Sequence, residues 1–332
     1  MPIFRLMLPL ALLIISLVIA VSSGQYSLSL TEIWQSISQF GNELSQQGLS
    51  QQDIVLWNIR LPRIATAILV GIALSVAGVT YQGMFKNPLV SPDILGVTSG
   101  AGLGAVTAIY FDFPLPIIQL FAFAGGLFAV GLVYFIASTV RRQNPILALV
   151  LSGVAISALL GAGISLLKIL ADPYSQLSTI TFWLLGGLNM TSFDDLKLVA
   201  PLVLFALIPL ILLRWRMNVL SLDDEEVTAL GVNIKRTRLI FILCATLMTS
   251  AVVSVTGIIG WVGLIIPHIA RLWSGADFRL LLPTCILLGS TFLLITDTLA
   301  RCLFAIEIPL GVITAFVGAP FFLSLLIKGE RQ

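Results

Sequence analysis

Leu239 to Ala270 is a run of 32 residues without a single Asp, Glu, Lys or Arg. A helix needs about 20 apolar residues to cross roughly 30 Å of hydrocarbon, so this run is too long for one crossing and short for two. Water cannot be the solvent for such a stretch unless protein covers it on all sides. The whole chain agrees: 18 Lys and Arg plus 16 Asp and Glu charge only 10% of 332 residues, and 58% are hydrophobic. An average soluble domain carries about 25% charge. These figures exclude a disordered chain, a basic nucleic-acid binder and an ordinary soluble enzyme. Unbroken apolar runs, in place of two-residue alternation, exclude a β-barrel. The fold class is an all-α polytopic membrane protein.

Apolar runs place spans at 6–21, 63–84, 93–111, 115–140, 146–168, 195–214, 237–257, 280–299 and 308–328. The first follows Arg5 and resembles a signal peptide, but no clear A-x-A site follows it, so it reads as an uncleaved span. Charge bias decides how often the 239–270 run crosses. If it crosses and returns through a short helix near 260–271, there are ten spans with both termini inside. Thirteen cations then lie inside: Arg5, Lys86, Arg141, Arg142, Arg214, Arg216, Lys235, Arg236, Arg238, Arg271, Arg279, Lys328 and Arg331. Five lie outside: Arg60, Arg63, Lys168, Lys197 and Arg301. A single crossing gives ten against eight, a weaker bias. Ten spans are therefore expected, in one transmembrane domain over 1–332. The glycine-interrupted region 256–271 belongs inside the bundle, where neighbouring protein can satisfy its freed backbone groups.

Outside the spans, segment 22–58 reads as an outer amphipathic piece. Ser29 and Glu32 have capping-box spacing, and Ile33, Trp34, Ile37, Phe40 and Leu44 recur at helical spacing. It should lie on the membrane surface. Asp93 just after Pro92 suits a helix first turn. Segment 217–232 carries four consecutive acids, Asp223, Asp224, Glu225 and Glu226. Asp223 with Glu226 has capping-box spacing, Gly231 suits a left-handed C-terminal cap, and Val227 and Leu230 are apolar at i, i+3. A helix of about two turns is too short to stand alone in water, so it packs either on its own chain or on a partner.

No acid or base falls near mid-span, which argues against a proton- or ion-driven carrier, although sites built of carbonyls and hydroxyls keep a secondary transporter as the alternative. Small residues stack at four-residue spacing instead: Gly96, Gly100 and Gly104, then Gly153, Ser157, Gly161 and Ser165. Tight helix packing explains such stripes; a wide, weakly interacting passage is the other reading. The single His268 reads as a buried, hydrogen-bonded side chain. It and three scattered cysteines, Cys244, Cys285 and Cys302, suggest no metal site.

Eight blocks then occur in order. They are Arg60-Leu-Pro-Arg63, Gly78 to Gln82, Asn87 to Pro92 with Leu95-Gly96 and Ser99-Gly100-Ala101, Leu151 to Ser157, Trp183 to Gly187, Leu220 to Gly231, Gly260 to Arg271, and Glu307 to Thr314 with Gly318 to Phe321. Along nearly its whole length the chain resembles the permease subunits of binding-protein-dependent ABC importers for iron chelates, haem, vitamin B12 and metal oxyanions such as molybdate. The resemblance implies the vitamin B12 permease-like fold with ten spans, in a bacterial inner membrane. It implies a homodimer with a passage on its two-fold axis, lined by the fifth span through Gly153, Ser157, Gly161, Ser165 and Lys168. It implies that 217–232 forms coupling helices, with Leu220, Ser221, Leu222, Asp223, Asp224, Glu225, Glu226, Val227, Leu230 and Gly231 seated on one of two cytoplasmic ATPase subunits. ATP and Mg would bind there, and no cofactor in this chain. It implies that a periplasmic binding protein docks on Arg60, Arg63 and Arg301, whose other reading is as snorkelling interfacial anchors. The cargo is set mainly by that binding protein. Lys168, doubled in a dimer, would attract an anion if it faces the axis.

Overall fold

The computed structural model describes residues 4–26, 28–43, 50–139, 145–304 and 306–329. Leu44, Arg141, Arg142 and Arg331, which entered the amphipathic and charge-bias readings, lie outside the described residues. Those described form helices and turns, with no strand among them. The helices are α1 (Phe4–Ser22), α2 (Leu30–Glu43), α3 (Gln51–Met84), α4 (Val97–Tyr110), α5 (Leu115–Thr139), α6 (Pro145–Leu170) and α7 (Gln176–Leu185). They continue as α8 (Phe193–Leu212), α9 (Arg214–Leu220), α10 (Asp224–Ala229), α11 (Ile234–Thr256), α12 (Val262–Ser274), α13 (Phe278–Cys302) and α14 (Leu310–Gly329). Seven of these (α1, α3, α5, α6, α8, α11 and α13) are long and apolar enough to cross a membrane on their own. The regions α4, α12 and α14 also carry apolar helices at expected crossings, though their described apolar lengths are shorter.

The uncharged run divides as the charge bias requires. α11 ends at Thr256, Gly257 takes φ +67° and Trp261 takes φ +71° before α12 starts. A break inside a bilayer must re-satisfy its backbone groups. The Thr256 carbonyl accepts from Gly187 N–H at 2.8 Å, and the Gly186 carbonyl accepts from Leu310 N–H at 2.9 Å. α7, the α11–α12 break and the start of α14 thus interlock through their backbones. α7 was not anticipated, because its ten residues fall well short of a crossing.

The expected span at 93–111 starts later than its apolar run. Pro92–Leu95 makes one 3-10 turn, Gly96 takes φ +79°, and α4 begins at Val97. Asp93 sits in that turn rather than in the helix proper.

α3 is the hub, with 78% of its best apolar window buried, against 17% for α1 and for α6. Backbone approach explains the hub. A Cβ on Gly71 would fall 2.3 Å from the Gly289 carbonyl oxygen, and one on Gly78 would fall 1.9 Å from that of Gly263. α13 and α12 therefore lie directly against α3. Ser75 Oγ donates to the Cys285 carbonyl at 2.9 Å across the first of these contacts. Gly100 meets the Gly125 carbonyl and Gly104 that of Phe121, so these members of the first small-residue stripe serve helix packing between α4 and α5.

Candidate functional site

Arg60, Arg63 and Arg301 converge at one end of α3 and α13, but not as exposed charges. They are 3%, 6% and 7% exposed. Arg63 Nε donates to Asp297 Oδ1 at 2.8 Å, and its Nη1 donates to both Glu307 oxygens at 3.0 Å. Arg301 Nε lies 3.1 Å from Asp297 Oδ2 at an angle that misses a hydrogen bond. Asp297 is fully buried between the two guanidinium groups. The remaining donors go to the C-terminal end of α1. Arg301 donates to the carbonyls of Ser23 and Ala20, and Arg60 to those of Val21, Ser22 and Tyr26. The last turn of a helix leaves carbonyls without partners and carries the negative end of its dipole, so two cations there are well used. Within the chain these arginines are buried and paired, so they do not stand as free charges on its surface.

The opposite end of α3 meets the acidic segment. Met84 ends the helix, and Lys86 N–H donates to Gly83 while Asn87 N–H donates to Gln82, a Schellman closure. Its left-handed position is held by Lys86 at φ +51° where glycine is the usual occupant. That lysine's Nζ donates to the Leu222 carbonyl. The segment itself is two helices, α9 and α10, with Ser221 closing the first. The expected Asp223–Glu226 capping box is absent: Asp223 caps α10 through its backbone carbonyl to Val227 N–H, with no side-chain bond. The C-terminal expectation holds in full. Gly231 takes φ +77°, its N–H donates to Thr228, and Val232 N–H donates to Val227.

Val227 and Leu220 are buried, whereas Ser221, Leu222, Leu230 and all four acids are exposed. Three ties hold this exposed face. Lys86 fixes Leu222. Arg238 pairs with Asp224 at 3.1 Å. Asn218 Nδ2 donates to Asp277 at 2.7 Å while its Oδ1 accepts from Phe278 N–H, joining α9 to the start of α13. The Arg279 N–H and the Asn218 amide hold the Asp277 carboxyl below its usual range.

The second small-residue stripe splits. Four residues advance a helix by about 400°, so an i, i+4 row drifts about 40° per step around the helix. Gly153 is buried, and a Cβ there would fall 2.0 Å from the Ile94 carbonyl oxygen. Ser157 Oγ is buried beside Gly96 without a hydrogen-bond partner among the described residues. Gly161 has open space, and Ser165 is exposed with its hydroxyl folded back on the Gly161 carbonyl. Gly153 thus packs against the Pro92–Gly96 elbow. Gly161 and Ser165 remain on the open side, and Lys168 is half-buried in the last turn. The same elbow touches Gly263 through Pro92, and Gln82 Nε2 donates to the Gly263 carbonyl while Arg271 donates to Gln82. An open groove lies between α7, the α11–α12 break and α14. It holds about 650 Å³ and is lined by residues that include Leu184, Ile258, Trp261, Ala315, Phe316 and Pro320, none of its lining residues being charged.

His268 is half-buried and rests edge-on against Phe321 at 6.2 Å, without a hydrogen bond among the described residues, in place of the expected buried, bonded side chain. Sequence reasoning missed Lys86, Asn218 and Glu307 as ties. A lysine where a helix-terminating glycine belongs was the one available signal.

Residues 12–328 match the FecCD transport family. The molybdate import system permease of Haemophilus influenzae is 40% identical over 321 residues, covering 96% of this chain and 94% of that one. The hemin transport system permease of Yersinia pestis is 37% identical over 342 residues, covering 99% and 97%. A solved structure described as an inward-facing metal-chelate type ABC transporter superposes with a TM-score of 0.88 at 37% identity, covering 99% of this chain and all of the other. A chain of PsaBC from Streptococcus pneumoniae, 19% identical with a TM-score of 0.52, shares the fold. The chain belongs to the FecCD transport family of ABC permeases. It is a multi-pass membrane protein of the transport class, not an enzyme family member.

Proposed function

We propose that this chain is the membrane-spanning half of an ATP-driven importer for a metal-containing solute. Two copies form a passage about their two-fold axis. The arginine end of α3 faces outside, the acidic end faces the cytoplasm, and both termini are cytoplasmic, giving ten crossings in a bacterial inner membrane. The observation that carries this reading is the acidic segment. Four exposed acids and two exposed leucines, Leu222 and Leu230, stand on helices too short to persist alone, yet are tied to α3, α11 and α13. A loop with no mechanical duty has no use for three ties. A separate ATPase subunit, one per copy, docks on this face and binds the ATP and Mg.

The transmission runs from Leu222 through Lys86 to the Pro92–Gly96 elbow, and from there to Gly153 and Ser157 on α6. The open side of α6, through Gly161, Ser165 and Lys168, faces the passage. Cargo classes follow from the relatives: molybdate, haem, and the cobalamin of the Halobacterium salinarum import permease, 41% identical over 311 residues. A periplasmic binding protein delivers the cargo. Since the three arginines are engaged internally, it docks on surface around them.

The test is uptake into proteoliposomes holding this chain with its ATPase and binding protein, using labelled molybdate, haem and cobalamin. ATP-dependent uptake of one of them is expected. Uptake driven by an ion gradient without the ATPase would replace this reading by a secondary transporter.

A further inference from the structure

The geometry points to α2 as an interfacial anchor: Trp34 and Ile37 insert into the boundary between lipid headgroups and acyl chains. α1 has 19 residues, which at 1.5 Å per residue spans close to the hydrocarbon thickness, so its end at Ser22 marks a membrane boundary. Leu28 N–H donates to the Ser22 carbonyl, and Leu28, Ile33 and Leu56 form a small cluster against Val21. The inward face of α2 therefore sits at the level where α1 leaves the hydrocarbon. That face is fixed from below: Ser36 donates to Asp53, and Trp57 Nε1 donates to Ser36 at 3.2 Å.

The exposed face divides in two. Trp34 is 72% exposed and Ile37 51% exposed. At 100° per residue Ile37 lies about 60° to one side of Trp34, while Ser38, Thr31 and Gln35 follow at about 40°, 60° and 100° on the other. All three are exposed. One half is apolar and the other polar, as a helix lying in an interface requires, and tryptophan favours that depth. α1 also exposes apolar side chains towards its end, Leu17 and Val18 among them. α2 carries Glu32 and Glu43 and no cation, so attachment is apolar and does not depend on anionic lipid. This inference rests on the multi-pass membrane character alone and is independent of the importer reading.

Nitroxide labels test it on the full chain in zwitterionic vesicles, with Cys244, Cys285 and Cys302 replaced. Labels on W34C and I37C should collide more with oxygen than with a water-soluble nickel chelate. Labels on T31C and Q35C should show the reverse. Adding anionic lipid should change neither pattern. A second measurement needs no cysteine: brominated lipid should quench wild-type fluorescence by a larger fraction than that of W34F. Water-like collisions at 34 and 37, with equal quenching of both proteins, would overturn the proposal. So would shielding that appears only when a second copy or the binding protein is present.

Discussion

At the arginine end, Arg60, Arg63 and Arg301 are packed around Asp297 and the last carbonyls of α1, each less than a tenth exposed. At the acidic end, Asp223 to Glu226 stand in the open, and among the described residues only Asp224 has a charged partner. The sequence makes the two ends look alike, as charge clusters flanking apolar runs. The structure gives them opposite duties. Buried charges paired with carboxylates and helix-end carbonyls hold helices together; exposed ones on a tied platform are available to something else. A charge count cannot tell these apart, because the difference lies in whether counter-charges arrive from distant parts of the chain. Asp297 and Glu307 are more than 230 residues from Arg63.

The largest contrast is expected from one acid at each end. Asp297→Ala leaves Arg301 buried without a carboxylate and Arg63 with Glu307 alone, a loss of about 3–5 kcal/mol. Glu225→Ala, at an exposed position, should stay within about 0.5 kcal/mol. Thermal unfolding in detergent measures both, and equal shifts would erase the distinction between the ends. Next comes Arg60→Ala. It frees the Val21, Ser22 and Tyr26 carbonyls and should cost about 1–3 kcal/mol, seen as faster hydrogen exchange confined to the end of α1. Exchange that spreads through α3 would mean that Arg60 holds more than that junction.

Lys86→Gly separates stability from coupling. Glycine suits φ +51° and should leave stability unchanged or raise it by up to about 1 kcal/mol. Loss of the Leu222 tie should lower cargo moved per ATP hydrolysed. A lowered melting point with unchanged coupling would make Lys86 a structural cap only. The smallest effect concerns acid. Asp277 has a depressed folded pKa, so the unfolded chain binds its proton first as pH falls. The stabilisation is complete above the ordinary carboxylate range, near about 4, and is lost as pH drops through the folded value. Asp277→Asn should flatten that part of the acid-unfolding profile. An unchanged profile would remove Asp277 from it.

Much of the fold was legible because bilayer physics is strict. Every expected crossing contains a helix, and the 32-residue run breaks where Gly257 and Trp261 turn the chain. The Ser29–Glu32 capping box and the Gly231 cap were readable because both depend on neighbours in sequence, and both form. What failed depended on partners far away. The burial of Arg60, Arg63 and Arg301 was not legible because their partners come from α13, the segment before α14 and the end of α1. The packing of Gly153 was not legible because a four-residue stripe is not one face of a helix. α7 was invisible because it is held by backbone bonds at Gly186 and Gly187 rather than by length.

The claim that the acidic end is a contact surface is tested most directly by neutralising it. The chain carrying Asp223→Asn, Asp224→Asn, Glu225→Gln and Glu226→Gln, reconstituted with its ATPase and binding protein, should keep the wild-type melting temperature to within about 1 kcal/mol of stability. Its ATP-dependent uptake should be lost. Wild-type uptake by this variant would contradict the account.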